Sequence, residues 1–285
     1  MALARQGSGL TATGRAYWSQ VHPVFMLPPL AASLFGAVLA TRIESGPAAV
    51  HVVAMFAAVY TAHVKDGYVD FHVRGEDDDH PLTVAGCRVG LGAATVVFAA
   101  CTLLLFLLVD WIAVALTVPA WLIAYHHAPQ LDMHPITATG GYPAGIALAM
   151  LGGYYVQATA LDSVVLAFAV IFFVLLSGIK VIDDTKDYAY DRSIEKRTVA
   201  VVIGRDRAIT AAYGLMAVAL GVVVVMGLLG PFPPGAIVAA GAFAVVAAIA
   251  ARADATLATM LLIRGSYVFL AVLVAAVWFE PLAGL

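Results

Sequence analysis

Charge is what this 285-residue chain has least of: Asp, Glu, Lys and Arg together make up 12% of it, while 62% is hydrophobic. A soluble domain usually carries about 25% charged residues, so half of the polar cover needed for a water-facing surface is missing. A mean hydropathy of +0.95 says the same. This scarcity excludes an ordinary soluble enzyme, a nucleic-acid binder and a disordered adaptor. Cysteine is scarce too: Cys87 and Cys101 stand 14 residues apart, with no CxxC and no Cys/His metal spacing. They are read as two reduced thiols without chemistry. A cleavable leader is also missing, because the first fourteen residues, MALARQGSGLTATG, are small and polar. The first apolar stretch is therefore expected to be a retained helix.

What is present is hydrophobic length. Apolar stretches long enough to span a bilayer fall near 18–41, 48–66, 86–109, 111–128, 140–158, 161–183, 206–229, 235–252 and 257–278. At ~20 residues each, nine crossings use about 180 residues and leave about 105 for loops and termini. The expected fold is thus an all-α integral membrane protein of about nine transmembrane helices. The basic residues give an orientation. With the N-terminus inside, the inner side collects Arg5, Arg15, Lys65, Arg74, Arg88, Lys180, Lys186, Arg192, Lys196, Arg197, Arg205, Arg207, Arg252 and Arg264, and only Arg42 of the 15 Lys and Arg lies outside. The expected topology is N-in, C-out.

The acids are gathered as well. Asp66, Asp70, Glu76, Asp77, Asp78 and Asp79 follow the second stretch, and Asp183, Asp184, Asp187, Asp191 and Glu195 follow the sixth, which is eleven of the 18 acids. Both groups are expected on the cytoplasmic side, in acidic loops 65–88 and 183–207. Carboxylates at a membrane helix end need cations or partners. Asp183, Asp187 and Asp191 are spaced i, i+4, i+8, one face of a helix continuing out of the sixth stretch, and Asp66 and Asp70 are likewise i, i+4. On spacing alone, three readings stay open: a metal–phosphate site, a solvated polar loop and an ion pathway. Hard divalent cations such as Mg²⁺ take oxygen ligands and bridge to phosphates. Lys196-Arg197-Thr198 beside the second row, and Lys65, Arg74 and Arg88 around the first, favour a diphosphate cradle of metal and cationic side chains.

The stretch from Asp183 through Asp187, Asp191 and Lys196-Arg197-Thr198 to Gly204 resembles the second aspartate motif of the UbiA superfamily of intramembrane prenyltransferases, a DxxxD followed by KRT and a hydrophobic run ending in Gly. The segment from Lys65 to Asp79 looks like that family's NDxxDxxxD. Within the superfamily, Tyr68-Val-Asp70 with Arg74-Gly-Glu-Asp-Asp-Asp79, and Gly153-Tyr-Tyr-Val-Gln157, are similar to the 1,4-dihydroxy-2-naphthoate branch of menaquinone synthesis. Departures are visible. Lys65 replaces the leading Asn, Asp66 to Asp70 is one residue longer than DxxD, and Asp183 and Asp184 stand where that branch has two Asn. The loop from Tyr125 to His134 lacks the Gly- and Lys-rich pattern.

The resemblance implies one transmembrane domain over 1–285, with its helices around a central, lipid-accessible cavity. The implied activity is Mg²⁺-dependent transfer of a prenyl group from an allylic isoprenyl diphosphate to an aromatic quinone precursor or another lipophilic acceptor, releasing diphosphate. A carotenoid or ether-lipid acceptor stays open as the alternative, and a membrane cation transporter as the reading from another class. The implied metal ligands are Asp66, Asp70, Asp77, Asp183, Asp187 and Asp191, and the implied diphosphate ligands are Lys196, Arg197 and Arg74. Tyr125, His126 and His127 are candidates to orient or deprotonate the acceptor. A CDP-alcohol phosphotransferase is a poor match, since Asp66-Gly67 is followed by Tyr-Val-Asp-Phe rather than the DGxxAR pattern. The implied location is the cell membrane, with the site facing the cytoplasm.

Overall fold

Peptide groups among apolar side chains in lipid find no water to bond, so each apolar run is driven to satisfy them internally as helix. The computed structural model, which describes residues 2–40 and 42–280, is helical accordingly. Its helices are α1 (Gly9–Trp18), α2 (Pro23–Leu39), α3 (Ser45–Gly67), α4 (Val84–Leu108), α5 (Trp111–His126), α6 (Pro135–Ala158), α7 (Ser163–Lys186), α8 (Tyr188–Ser193), α9 (Val199–Ile203), α10 (Arg205–Leu229), α11 (Gly235–Ala250) and α12 (Ala255–Phe279). A wider π-helical turn prolongs α3 over Tyr68–Arg74, and α5 is extended over His127–Leu131 across a kink at Ala128, whose φ of −107° and ψ of 138° are not helical.

Among the described residues, each of the nine expected stretches contains a helix. Six are long and apolar enough to cross a membrane: α3 and α5 with their extensions, α4, α7, α10 and α12; α1 and α2, bent by 66°, make a seventh if they form one span. α11 has 16 residues, which at 1.5 Å per residue covers only about 24 Å of a ~30 Å hydrocarbon core. Gly, Thr, Tyr and Gln dilute the apolar character of α6. Exposed Trp18, Trp111, Trp278 and Phe279 sit at helix ends, the position amphipathic rings take at a membrane interface.

The fold divides into two compact units. The first holds residues 1–37, 42–131 and 148–159. Here α3 packs on α4 and α5. The end of α6 lies against α2 where side chains are missing: a Cβ on Gly153 would stand 2.0 Å from the Ser33 carbonyl oxygen, and one on Gly36 2.1 Å from that of Met150. Small residues let apolar helices approach closely in lipid. Asp110 starts α5 by accepting from the amides of Ile112 and Ala113 at 2.8 and 3.0 Å. It also accepts the Tyr155 hydroxyl at 2.8 Å, so the cap of one helix is tied to the end of another.

The second unit holds residues 38–41, 132–147 and 160–285. Its centre is α7, whose most apolar stretch is 67% buried, as expected of a helix that is hydrophobic all round. α10 and α12 both pack on α7; Phe168 stacks on Phe232 at 3.9 Å, and Phe172 meets Phe269 at 5.4 Å. Asp162 and Asp254 cap α7 and α12 through their side chains. With Asp110, three acids outside the two clusters are thereby explained as N-caps, which satisfy amides the helix itself leaves unpaired.

Candidate functional site

In the first unit the acidic segment grows out of α3. Its last α-helical turn carries Lys65 and Asp66, and the π-helical turn that follows carries Asp70 and Arg74. Gly75, in left-handed backbone at φ 66°, then turns the chain out of the helix at no steric cost. Arg74 lies 3.6 Å from Asp70 and 3.7 Å from Glu76, and the Glu76 amide donates to the Asp70 carbonyl at 2.7 Å. Asp70, Arg74 and Glu76 are thus gathered, while Asp77 and Asp78 stand exposed beyond them. Asp79 is engaged elsewhere, receiving Arg5 at 2.9 Å and Gln6 at 2.7 Å.

In the second unit the expected single helical face is interrupted. α7 ends at Lys186, Asp187 sits in the break with φ −97° and ψ 10°, and Asp191 belongs to the short α8. The Asp191 amide still donates to the Asp187 carbonyl at 2.8 Å, so the two acids remain one turn apart although the helix changes direction. Their surroundings differ. Asp187 is exposed, whereas Asp191 is 2% exposed. Burial pushes the Asp191 carboxyl up, against the pull of Lys196, whose ammonium lies 3.6 Å away. Thr198, fully buried, bonds the same carboxylate and caps α9 by accepting from the Val201 amide. Arg197 is exposed, and its amide donates to the Met133 carbonyl at 3.3 Å. Gly204 closes the segment at φ 86°, ψ 149°, backbone that is essentially reserved for glycine.

Asp183 has both carboxylate oxygens occupied: Lys180 reaches one at 3.1 Å and Lys186 the other. Lys180 also bonds the buried Asp184. The spacing carries a signal for this knot, since Lys180 stands i−3 and i−4 from the two acids, beyond its place among the inner-face charges.

The aromatic candidates end up apart. Lys65 lies over the Tyr125 ring at 4.5 Å, a cation–π contact, and Trp121 stacks on Tyr125 at 5.2 Å. Tyr125 is therefore brought to the first acidic segment. His126 is exposed with its ring edge-on to Tyr125, and His127 stands just before the kink at Ala128, near His63. His63 in turn meets His22 at 4.8 Å. An apolar cavity of about 280 Å³, lined by Tyr17, Phe56, Tyr60, Gly90 and neighbours, carries no charged side chain and has no part in holding a phosphate.

Residues 29–259 match the family model described as the UbiA prenyltransferase family. No curated protein matches the chain. Among solved structures, the fold is similar to an apo UbiA homologue from Aeropyrum pernix K1, with a TM-score of 0.74 at 15% identity over 88% of this chain and 98% of that one. A digeranylgeranylglyceryl phosphate synthase superposes with a TM-score of 0.72 at 11% identity, over 94% and 99% of the two chains. A UbiA homologue from Archaeoglobus fulgidus bound to DMAPP and Mg²⁺ gives 0.69 at 15% identity, over 92% and 99%.

Proposed function

We propose that this chain, which belongs to the UbiA prenyltransferase family and is a membrane prenyltransferase, transfers a prenyl group from an allylic isoprenyl diphosphate to an aromatic quinone-precursor acceptor and releases diphosphate. Two acidic segments beside fixed cations support this reading, and one observation carries it: buried Asp191 held between Lys196 and Thr198, one turn from exposed Asp187. A carboxylate desolvated so thoroughly is costly unless its charge is used.

The donor set fits Mg²⁺. Oxygen ligands dominate both segments, and several are exposed enough to keep the waters this ion retains. Asp187 and Asp191 would hold one ion, and Asp70 with Asp77 another, with Asp66 beside it; Asp183, bonded to two lysines, contributes chiefly by fixing the end of α7. Bound Mg²⁺ supplies charge to the oxygens of the departing diphosphate. The chain does the rest. Lys196, Arg197 and Arg74 add donors for the negative charge that develops as the allylic C–O bond breaks. That bond's electron pair leaves with the diphosphate, the acceptor supplies the pair for the new bond, and its proton departs to solvent or to a base in the Tyr125–His127 segment. Apolar helices keep water from the allylic cation and accommodate the prenyl tail in the bilayer. The distribution of basic residues supports an N-in, C-out topology with the acidic segments facing the cytoplasm.

The branch nearest to menaquinone synthesis is the acceptor reading we favour, on Gly153-Tyr-Tyr-Val-Gln157 and Arg74-Gly-Glu-Asp-Asp-Asp79. Incubating the purified protein with geranylgeranyl diphosphate, Mg²⁺ and a panel of dihydroxynaphthoate, hydroxybenzoate and a glyceryl phosphate ether tests it by mass spectrometry. The prenylated naphthoate is expected. A prenylated glyceryl ether alone would move the chain to ether-lipid synthesis.

A further inference from the structure

Within and next to the first acidic segment, three residues of another chemical kind meet. His72 comes from the π-helical turn, His80 from the loop after it, and Cys87 from the first turns of α4. One ligand atom from each lies within 4.8 Å of the others. His80 is 4% exposed and Cys87 fully buried, and the two imidazoles stand edge to face at 5.7 Å.

Both histidines are held through one ring nitrogen by a single acceptor. His72 Nε2 lies 3.1 Å and His80 Nδ1 3.2 Å from the Leu82 carbonyl oxygen. The Leu82 amide also lies 3.3 Å from His80 Nδ1; in the tautomer that donates from Nδ1 to the carbonyl, the arrangement a backbone carbonyl sets up in metal-binding histidines, the lone pair of the other nitrogen is left for a metal. That other nitrogen of His80, Nε2, is buried with no hydrogen-bond partner. It faces Gly67, where a Cβ would come within 2.4 Å, and the buried Gln20 places its side-chain oxygen 3.4 Å from the same point. A buried imidazole nitrogen left unbonded destabilises the fold unless something occupies it.

We infer that His72, His80 and Cys87 form a binding site for a zinc-type ion, separate in chemistry from any Mg²⁺ held by the carboxylates. Two imidazoles and a thiolate suit Zn²⁺, with Gln20 or water in the fourth position; Mg²⁺ demands oxygen ligands and is a poor occupant. Ligand atoms around tetrahedral Zn²⁺ stand roughly 3.3–3.8 Å apart, so binding draws the three side chains inward by about an ångström. The ion would act as a staple. It ties the two ends of the loop that carries Asp77, Asp78 and Asp79, under the N-terminal strap in which Arg5 donates its amide to Pro81 and Leu3 accepts that of Thr83.

Cobalt is the probe, because a Co²⁺–thiolate bond gives a charge-transfer absorption that carboxylates cannot produce. The full chain, purified in detergent and stripped of metal, is titrated with Co²⁺ and then with Zn²⁺. About one Co²⁺ per chain with a thiolate band, bleached by Zn²⁺ and indifferent to excess Mg²⁺, is expected, with the band kept in Cys101→Ala and lost in Cys87→Ser and His80→Gln. No thiolate band in the wild-type protein overturns the inference whatever the variants do, and so does a band that survives Cys87→Ser. Since Cys101→Ala leaves Cys87 as the single thiol, the assignment stands even if the other variants fail to fold.

Discussion

At the scale of single residues, burial separates acids that sequence spacing treats alike. Asp183, Asp187 and Asp191 look equivalent in a row of i+4 steps, yet one is tied to two lysines, one is exposed and one is buried beside Lys196. Asp187→Asn and Asp191→Asn are therefore expected to lower kcat by about a hundredfold or more, the scale of losing one electrostatic contact made in the transition state. Asp183→Asn should act mainly on stability. Comparing kcat and melting temperature for the three variants checks the split. Lys180 gives a second prediction. Its partner Asp184 is 4% exposed, and truncating one member of a buried pair strands the other's charge, at about 3–5 kcal/mol. Lys180→Met, which leaves Asp184 without its lysine, should show that loss in a thermal or denaturant melt in detergent, whereas a variant as stable as the parent would mean that Asp184 readily takes up a proton.

At the scale of elements, helix existence was readable from apolar length, but helix ends were not. Periodicity cannot show that α3 widens into a π-helical turn over Tyr68–Arg74, because the hydrophobic pattern has already given way to acids there. Nor could spacing show that α7 breaks at Asp187, since the i, i+4, i+8 row reads the same through a change of direction. The Gly153 of Gly-Tyr-Tyr-Val-Gln was noticed as a motif; its physical reason, the contact of α6 with the Ser33 carbonyl, needed the second helix. That contact gives opposite signs at two glycines of α6. Gly153→Ala forces a Cβ into a carbonyl and should lower the melting temperature. Gly145, with nothing within 4 Å of a Cβ, should be stabilised by up to about 1 kcal/mol when replaced by Ala, the helix-propensity gain. The grouping of His72, His80 and Cys87 is not legible in the sequence for a related reason: their separations match no short metal motif, and only the fold of the intervening loop brings them together.

At the scale of the whole molecule, scarce charge was the most informative property of the sequence. It identified a membrane protein, and the family's two acidic segments gave the chemistry. The acceptor was not legible, because a cavity's shape has no periodic signature. Orientation is open to direct measurement: single cysteines placed at position 77 and at position 187 in a Cys87→Ala, Cys101→Ala background should both be labelled from the side of the N-terminus, and one at Arg42 from the other side. In the function proposed above, Mg²⁺ held by these carboxylates drives loss of diphosphate from an allylic substrate. The most direct test is the release of inorganic diphosphate from geranylgeranyl diphosphate plus acceptor by the purified protein as Mg²⁺ is titrated, beside folded Asp187→Ala and Asp191→Ala. Release that rises with Mg²⁺, ceases on chelation and is lost in both variants is the result expected. Undiminished release without Mg²⁺, or full activity in both variants, would contradict the account.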